Sequence, residues 1–74
     1  MAEGFVHAVH YGGRWFNETE GAEHATNSHA TKTQAVEVGR RMAQHGETEH
    51  VIRNLDGTIS ERNSFGDDPA RRPG

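Results

Sequence analysis

The sequence predicts an α+β domain in which one α-helix packs on a face of an antiparallel sheet made of two β-hairpins. Three observations predict this class. The segment TKTQAVEVGRRMAQHG has the cap and the periodicity of an amphipathic helix, and a β-favouring stretch with a glycine turn lies on each side of it. The predicted order is β-β-(β)-α-β-β, with the bracketed strand short. We assign residues 1–62 to one domain and residues 63–74 to a loose C-terminal tail.

The helix is predicted to begin after Thr31. Thr31 and Gln34 have the spacing of a capping box, in which the Thr hydroxyl accepts from one backbone N–H and Gln reaches back to another. One buried stripe then follows, formed by Ala35, Val38, Gly39, Met42 and Ala43. We expect Gly46 in the left-handed position just past the helix. Glycine inside a helix lowers stability by up to ~1 kcal/mol relative to Ala. We expect that close approach of the helix to the sheet at Gly39 compensates for this cost.

Each hairpin is predicted from its turn. Residues 5–10 and 14–18 flank Gly12-Gly13, a pair that favours a primed turn because such turns require positive φ. Residues 50–54 and 58–62 flank Asp56-Gly57, which favours a type I′ turn and places Ile59 inward. The polar stretch between the first hairpin and the helix leaves room for a short third strand around residues 25–28.

These motifs together resemble a known family. A GG-x-W hairpin is followed by TKTQAVEVGRRMA and then by HVIRNLDGTISERNSFGDDP, over about Val6 to Pro69. The combination resembles the domain of unknown function 2188 family of short prokaryotic and phage proteins. The resemblance implies a single small α+β domain without an assigned activity. Family members usually carry an apolar residue two positions after the tryptophan, where this chain has Asn17 after Trp15.

Size and composition narrow the classes of protein. The chain has 74 residues, of which 31% are hydrophobic, and no cysteine, so neither a disulfide nor a thiolate metal site is available. A chain this short buries only about 60% of its unfolded surface, so a second subunit is one way to gain stability. The sequence is compatible with both a homodimer and a monomer. Without an apolar run of ~20 residues or a signal-peptide pattern, we expect a cytoplasmic protein that does not enter a membrane.

Residues that carry chemistry are scattered. His7 and His10 are three apart on a strand and so point to opposite faces, and no histidine spacing suits zinc. The carboxylate pairs lie in turns and the tail, and the serines lack a G-x-S-x-G motif. The chain has too few apolar residues to enclose a catalytic pocket. We therefore predict no enzyme activity, no cofactor and no metal.

A binding role is therefore the leading hypothesis. A half-covered sheet has an open face and unpaired edges that can receive a protein partner. The candidate partner-binding residues are Tyr11, Arg14, Phe16, Arg53, Arg62 and Phe65. The alternative is a nucleic-acid-binding domain that uses sheet aromatics and arginines, with Arg40 and Arg41 added. The net charge of −3 argues against it, and we expect Trp15 in the core.

Overall fold

The computed structural model describes residues 4–66, which form one five-stranded sheet with one helix on a face. The elements in chain order are β1 (Val6–Tyr11), β2 (Arg14–Thr19), β3 (Asn27–His29), α1 (Lys32–Gly46), β4 (Glu49–Arg53) and β5 (Ile59–Ser64). The α+β class and the short third strand are confirmed. β5 runs two residues into the segment predicted as a tail, and residues 67–74 of that segment lie outside the described residues.

The sheet is mixed, so the prediction of a purely antiparallel sheet is wrong. Its strand order is β3-β2-β1-β4-β5. The pairs β1–β2, β2–β3 and β4–β5 are antiparallel, whereas β1 and β4 are parallel, with Val6 opposite His50 and Ala8 opposite Ile52. The physical reason is the third strand: after two reversals β3 runs in the direction of β1, and the helix returns the chain to the end of the sheet where β1 begins.

The helix begins after Thr31, as predicted, and three of the five predicted stripe residues are buried. The hydroxyl of Thr31 accepts a hydrogen bond from the backbone N–H of Gln34 at 3.2 Å. The fully buried positions of the stripe are Ala35, Gly39 and Ala43. The apolar core is completed by Val6, Ala8, Trp15, Val51 and Ile52. Trp15 is 7% exposed, as expected for a core residue.

At Gly39 the helix approaches the sheet as closely as the sequence predicts. A Cβ atom built on this residue would lie 2.6 Å from Oδ1 of Asn17 and 2.7 Å from Nε2 of His50. Both of these side chains belong to the sheet and have 0% exposure. Any larger residue must therefore displace them or lift the helix.

The helix ends one residue later than predicted, so the assignment of Gly46 to the left-handed position is wrong. Gly46 is the last helical residue, and Glu47 adopts φ 52° and ψ 52°. The N–H of Thr48 donates to the carbonyl of Ala43 at 3.0 Å, and that of Glu47 to Gln44 at 3.2 Å. This pattern is a Schellman motif with Glu47 where glycine is usual.

The two turns differ in type. Gly12 and Gly13 have φ of 59° and 78°, which confirms the primed turn. The second turn is not type I′, because Asp56 lacks a positive φ. Instead the N–H of Gly57, with φ 91°, donates to the carbonyl of Asn54 at 3.0 Å, which fits a three-residue loop ending in a glycine bulge.

The inward orientation predicted for Ile59 is also wrong. The register of β4 and β5 shifts between Ile52 and Arg53, so that Ile52 pairs with Glu61 while Arg53 pairs with Ile59. The extra residue moves Ile59 to the other face of the sheet. Its side chain is left 49% exposed.

The substitution Gly39→Ala tests the contact between helix and sheet. Helix propensity alone predicts a gain of up to ~1 kcal/mol, whereas crowding against Asn17 and His50 predicts a loss of about 1–3 kcal/mol. We expect a loss, measured as the free energy of unfolding in urea, and a larger one for Gly39→Leu. The exposed-site control Gln44→Ala should change it by about 0.5 kcal/mol at most. A stabilised Gly39→Ala variant would contradict the contact.

The substitution Glu47→Gly tests the helix end. A left-handed conformation costs a non-glycine residue roughly 1–2 kcal/mol, part of which glycine returns as unfolded-chain entropy. We therefore expect Glu47→Gly to raise the free energy of unfolding by about 0.5–1 kcal/mol. Glu37→Gly, at an exposed interior position of the same helix, should lower it by about 1 kcal/mol. A loss at both positions would rule out the assigned helix end.

Candidate binding face

The two faces of the sheet are distinguished by the helix. Side chains alternate along a strand, and Asn17 and His50 point to the helix. The opposite face, which we term the open face, carries the residues of the other parity. On β1 and just before it, these residues are Phe5, His7, Val9 and Tyr11. The rest of the sheet contributes Arg14, Phe16, Glu18, Glu20, Glu49, Val51, Arg53, Ile59 and Arg62. Five of the six predicted partner-binding residues therefore lie on one surface.

Phe65 does not join them. It follows β5 and donates its backbone N–H to the carbonyl of Thr48 at 3.1 Å. Because Ser64 pairs with Glu49 of the open face, alternation places Phe65 on the helix side.

An aromatic pair lies on the open face near the turn between β1 and β2. The rings of Tyr11 and Phe16 stack with centroids 4.3 Å apart and an interplanar angle of 20°. The Tyr11 hydroxyl donates to Oε2 of Glu18 at 3.1 Å. Partial desolvation and this hydrogen bond raise the pKa of Tyr11. Tyr11 remains 48% exposed. Its ring is thus held in place while half of its surface meets solvent.

His7 lies between a carboxylate and a guanidinium on the same face. Its Nε2 lies 2.8 Å from Oε2 of Glu20, and its Nδ1 lies 3.5 Å from Nη2 of Arg53. Since a guanidinium only donates and a carboxylate only accepts, the geometry assigns the proton to Nε2. The hydrogen bond from His7 is the main cause of the lowered pKa of Glu20. Arg53 is further held by its hydrogen bond to the carbonyl of Gly57 at 2.9 Å.

The other two arginines of the open face differ in how far they are neutralised. Arg62 forms an ion pair with Glu49, with 2.6 Å between Nε and Oε1, and lies over the ring of Phe5 at 5.7 Å. Arg14 donates to the hydroxyl of Ser28 at 3.3 and 3.4 Å. Among residues 4–66 it has no carboxylate within ion-pair distance. Arg14 is therefore an exposed cation whose charge is not paired within the described fold.

A groove of about 610 Å³ borders the open face where the segment between β2 and β3 rises beside it. Its lining includes His7, Tyr11 and Arg53 of the open face, together with Glu20 and Glu23. The side chains of Val9, His7, Glu18 and Glu20 belong to this surface but were not among the predicted residues. The strict alternation of residues 5, 7, 9 and 11 is the signal that would have found the first two.

The side of the sheet that faces the helix contains two buried polar side chains, Asn17 and His50. The side-chain amide of Asn17 donates to Oδ1 of Asn27 at 2.8 Å and to the carbonyl of Ala35 at 3.0 Å. Oδ1 of Asn17 and both ring nitrogens of His50 have no hydrogen-bond partner among the described residues. Burial, followed by the charge of Arg40, lowers the pKa of His50. The resemblance described from the sequence implies an apolar residue at position 17, where this chain buries Asn17.

In residues 4–66 no three His, Asp or Glu side chains form a group that could hold a metal ion. Over this part of the chain, α1 lacks the length and the apolar character that crossing a bilayer requires.

The fold and this surface define a small α+β domain whose sheet is covered by a helix on one side only. The chain belongs to the family described as uncharacterized protein conserved in bacteria (DUF2188), whose model matches residues 6–65. Comparison with curated proteins and with solved structures gives no match.

His50 makes stability depend on pH. Above its ordinary pKa of 6.5 the ring is neutral in both states; below it, the unfolded chain takes up a proton that the buried ring resists. We therefore expect this group to lower the free energy of unfolding by up to about 1.4 kcal/mol per pH unit as the pH falls below 6.5.

The measurement is urea unfolding of wild type and His50→Leu from about pH 7.5 to pH 5. The wild type should lose stability more steeply, because the variant has no buried group to protonate. His24→Gln, at an exposed loop histidine, is the matched control and should keep the wild-type slope. An unchanged slope in His50→Leu would show that the buried ring does not carry the effect.

Proposed function

We propose that the protein is a non-enzymatic binding module that docks a protein chain on its open sheet face. The observation that carries the proposal is the half-exposed pair of Tyr11 and Ile59 flanking partly buried Phe16 and Val9, with arginines beside them. Aromatic residues and arginine are enriched at protein interfaces and supply most of their binding energy. The surface is also preorganised, since Tyr11, Arg53 and Arg62 are each held by a neighbouring side chain or backbone group.

The face is a better candidate than the free edge of β5. Two β5 edges can pair antiparallel about a twofold axis that is normal to the sheet. This axis keeps each face on the same side, so the residue at the centre of the pairing lies opposite the same residue of the second copy. The two central registers place Glu61 opposite Glu61 or Arg62 opposite Arg62. Like charges directly opposite each other destabilise strand pairing, and charged edges are a common protection against it.

The charge of the open face favours protein over nucleic acid. Three carboxylates, those of Glu18, Glu20 and Glu49, lie among its arginines, and Arg62 is already paired. A phosphate backbone is bound by concentrated cations. In addition, one face of the Tyr11 ring stacks on Phe16, which leaves less aromatic surface for a base.

Site-directed photo-crosslinking tests the proposal. Position 11 on the open face, or position 44 on the outer face of the helix as a control, carries p-benzoylphenylalanine in cells that express the chain. We expect protein adducts of discrete mass from position 11 and none of these from position 44. The protein in each adduct is identified by mass spectrometry, purified and titrated against the wild type and Arg14→Glu, and the variant should bind it more weakly.

Three results would contradict the proposal. Position 11 yields no adduct, positions 11 and 44 yield the same adducts, or the adducts from position 11 are removed by nuclease and resist protease. The last result would replace a protein partner by nucleic acid.

A further inference from the structure

We propose that the occupant of the open face is a second copy of this chain, packed face to face with its strands antiparallel to those of the first. This inference rests on the proposed function, because it uses the same surface and names the partner. Its basis is the way in which charge is distributed along the strands of that face.

The two ends of the open face carry opposite net charge. Glu18, which accepts from Tyr11, offsets one arginine of the positive end, and Arg62, which pairs with Glu49 over the ring of Phe5, offsets one carboxylate of the negative end. Arg14 lies opposite Tyr11, at the C-terminal end of β1. Continuing the parallel register by one residue places Arg53 beside Val9, towards the same end. At the opposite end, Glu20 donates its backbone N–H to the carbonyl of Phe5, and Glu49 precedes the pair of His50 and Val6.

A twofold axis across the strands makes these ends complementary. Such an axis, lying between the two faces and perpendicular to β1, places the Tyr11 end of each copy on the Phe5 end of the other. Arg14 then faces Glu20 of the second copy, and Tyr11 faces Phe5 of the second copy. Opposite charges and aromatic rings meet twice, once on each side of the axis, as an isologous interface requires.

Face-to-face packing with the strands of the two copies parallel is repulsive. An axis parallel to β1 stacks equal ends, and it places β2 of one copy over β4 of the other. Arg14 then lies near Arg53 of the second copy, and Glu20 near Glu49 of the second copy. Like charges brought together at an interface cost binding energy, so the charge distribution selects the antiparallel arrangement.

The area and the core composition fit a dimer of modest affinity. Five strands spaced by about 4.8 Å span roughly 24 Å. At about 3.3 Å per residue the four strands of five or six residues extend roughly 16–20 Å, and the three-residue β3 extends roughly 10 Å. Side-chain relief enlarges the area of this face towards the roughly 800 Å² per partner of a standard interface. Residues 4–66 of each copy include seven buried apolar residues, and burial of Tyr11, Phe16 and Ile59 would extend that small core. We expect a dissociation constant in the range of about 1–100 µM.

A charge swap tests the inference by sedimentation equilibrium at chain concentrations from about 5 µM to about 1 mM. Wild type should change from the 8.2 kDa monomer to a dimer over this range. Arg14→Glu and Glu20→Arg alone should each weaken association by about tenfold or more, and the double variant should recover to within about threefold of wild type. Both residues are exposed, and circular dichroism checks that every variant is folded.

Arg41→Glu is the matched control, since it makes the same charge change at an exposed position of the helix. It should leave association unchanged. A wild type that stays at monomer mass at the highest concentration would overturn the inference. An equal loss from Arg14→Glu and Arg41→Glu, or a double variant no better than the single ones, would also overturn it.

The outcomes separate this inference from the proposed function. If the chain is monomeric while position 11 crosslinks to a different protein, the second copy is wrong and the binding module stands. If the chain is monomeric and position 11 yields no protein adduct, both proposals fail. A position 11 adduct of twice the chain mass, lost in Arg14→Glu and regained in the charge-swapped double variant, supports both.

Discussion

The contact between Gly39 of the helix and the side chains of Asn17 and His50 governs the rest of this structure. Because there is no side chain at position 39, the helix backbone lies directly on two buried polar residues of the sheet. That distance lets Asn17 reach the carbonyl of Ala35 and lets a core of small residues close. It also leaves His50 in an environment that opposes its protonation. Packing and pH sensitivity thus share one cause.

The only helix of residues 4–66 packs on one face of the sheet, so the open face carries no helix. The segment between β2 and β3 borders this face. The side chains of the open face contact one another: Tyr11 stacks on Phe16, His7 lies between Glu20 and Arg53, and Arg62 pairs with Glu49. Such contacts reduce the entropy lost when a partner orders the surface. The proposed roles as a docking surface, and as a surface for a second copy, both depend on this preorganisation.

Local patterns in the sequence predicted the elements well and their assembly less well. The cap at Thr31, the stripe through Gly39 and the Gly12-Gly13 turn are short-range signals, and the structure has them all. The parallel pairing of β1 with β4 depends on a three-residue strand with a weak pattern, so hairpin reasoning missed it. The bulge before Arg53 turned Ile59 outward, and Glu47 took the place of a glycine because the Schellman hydrogen bonds can form one residue later. Five of six candidate binding residues share a face because alternation places them there.

We propose above all that the protein associates through the open face and not through the helix side. The most direct measurement is the chemical shift of every backbone amide as a labelled sample is diluted. We predict that the shifts that move with concentration belong to β1, β2 and β4 around Tyr11, Phe16 and Arg53, while amides near Arg41 stay constant. Shifts confined to the helix, or none at all up to the highest concentration, would contradict the account.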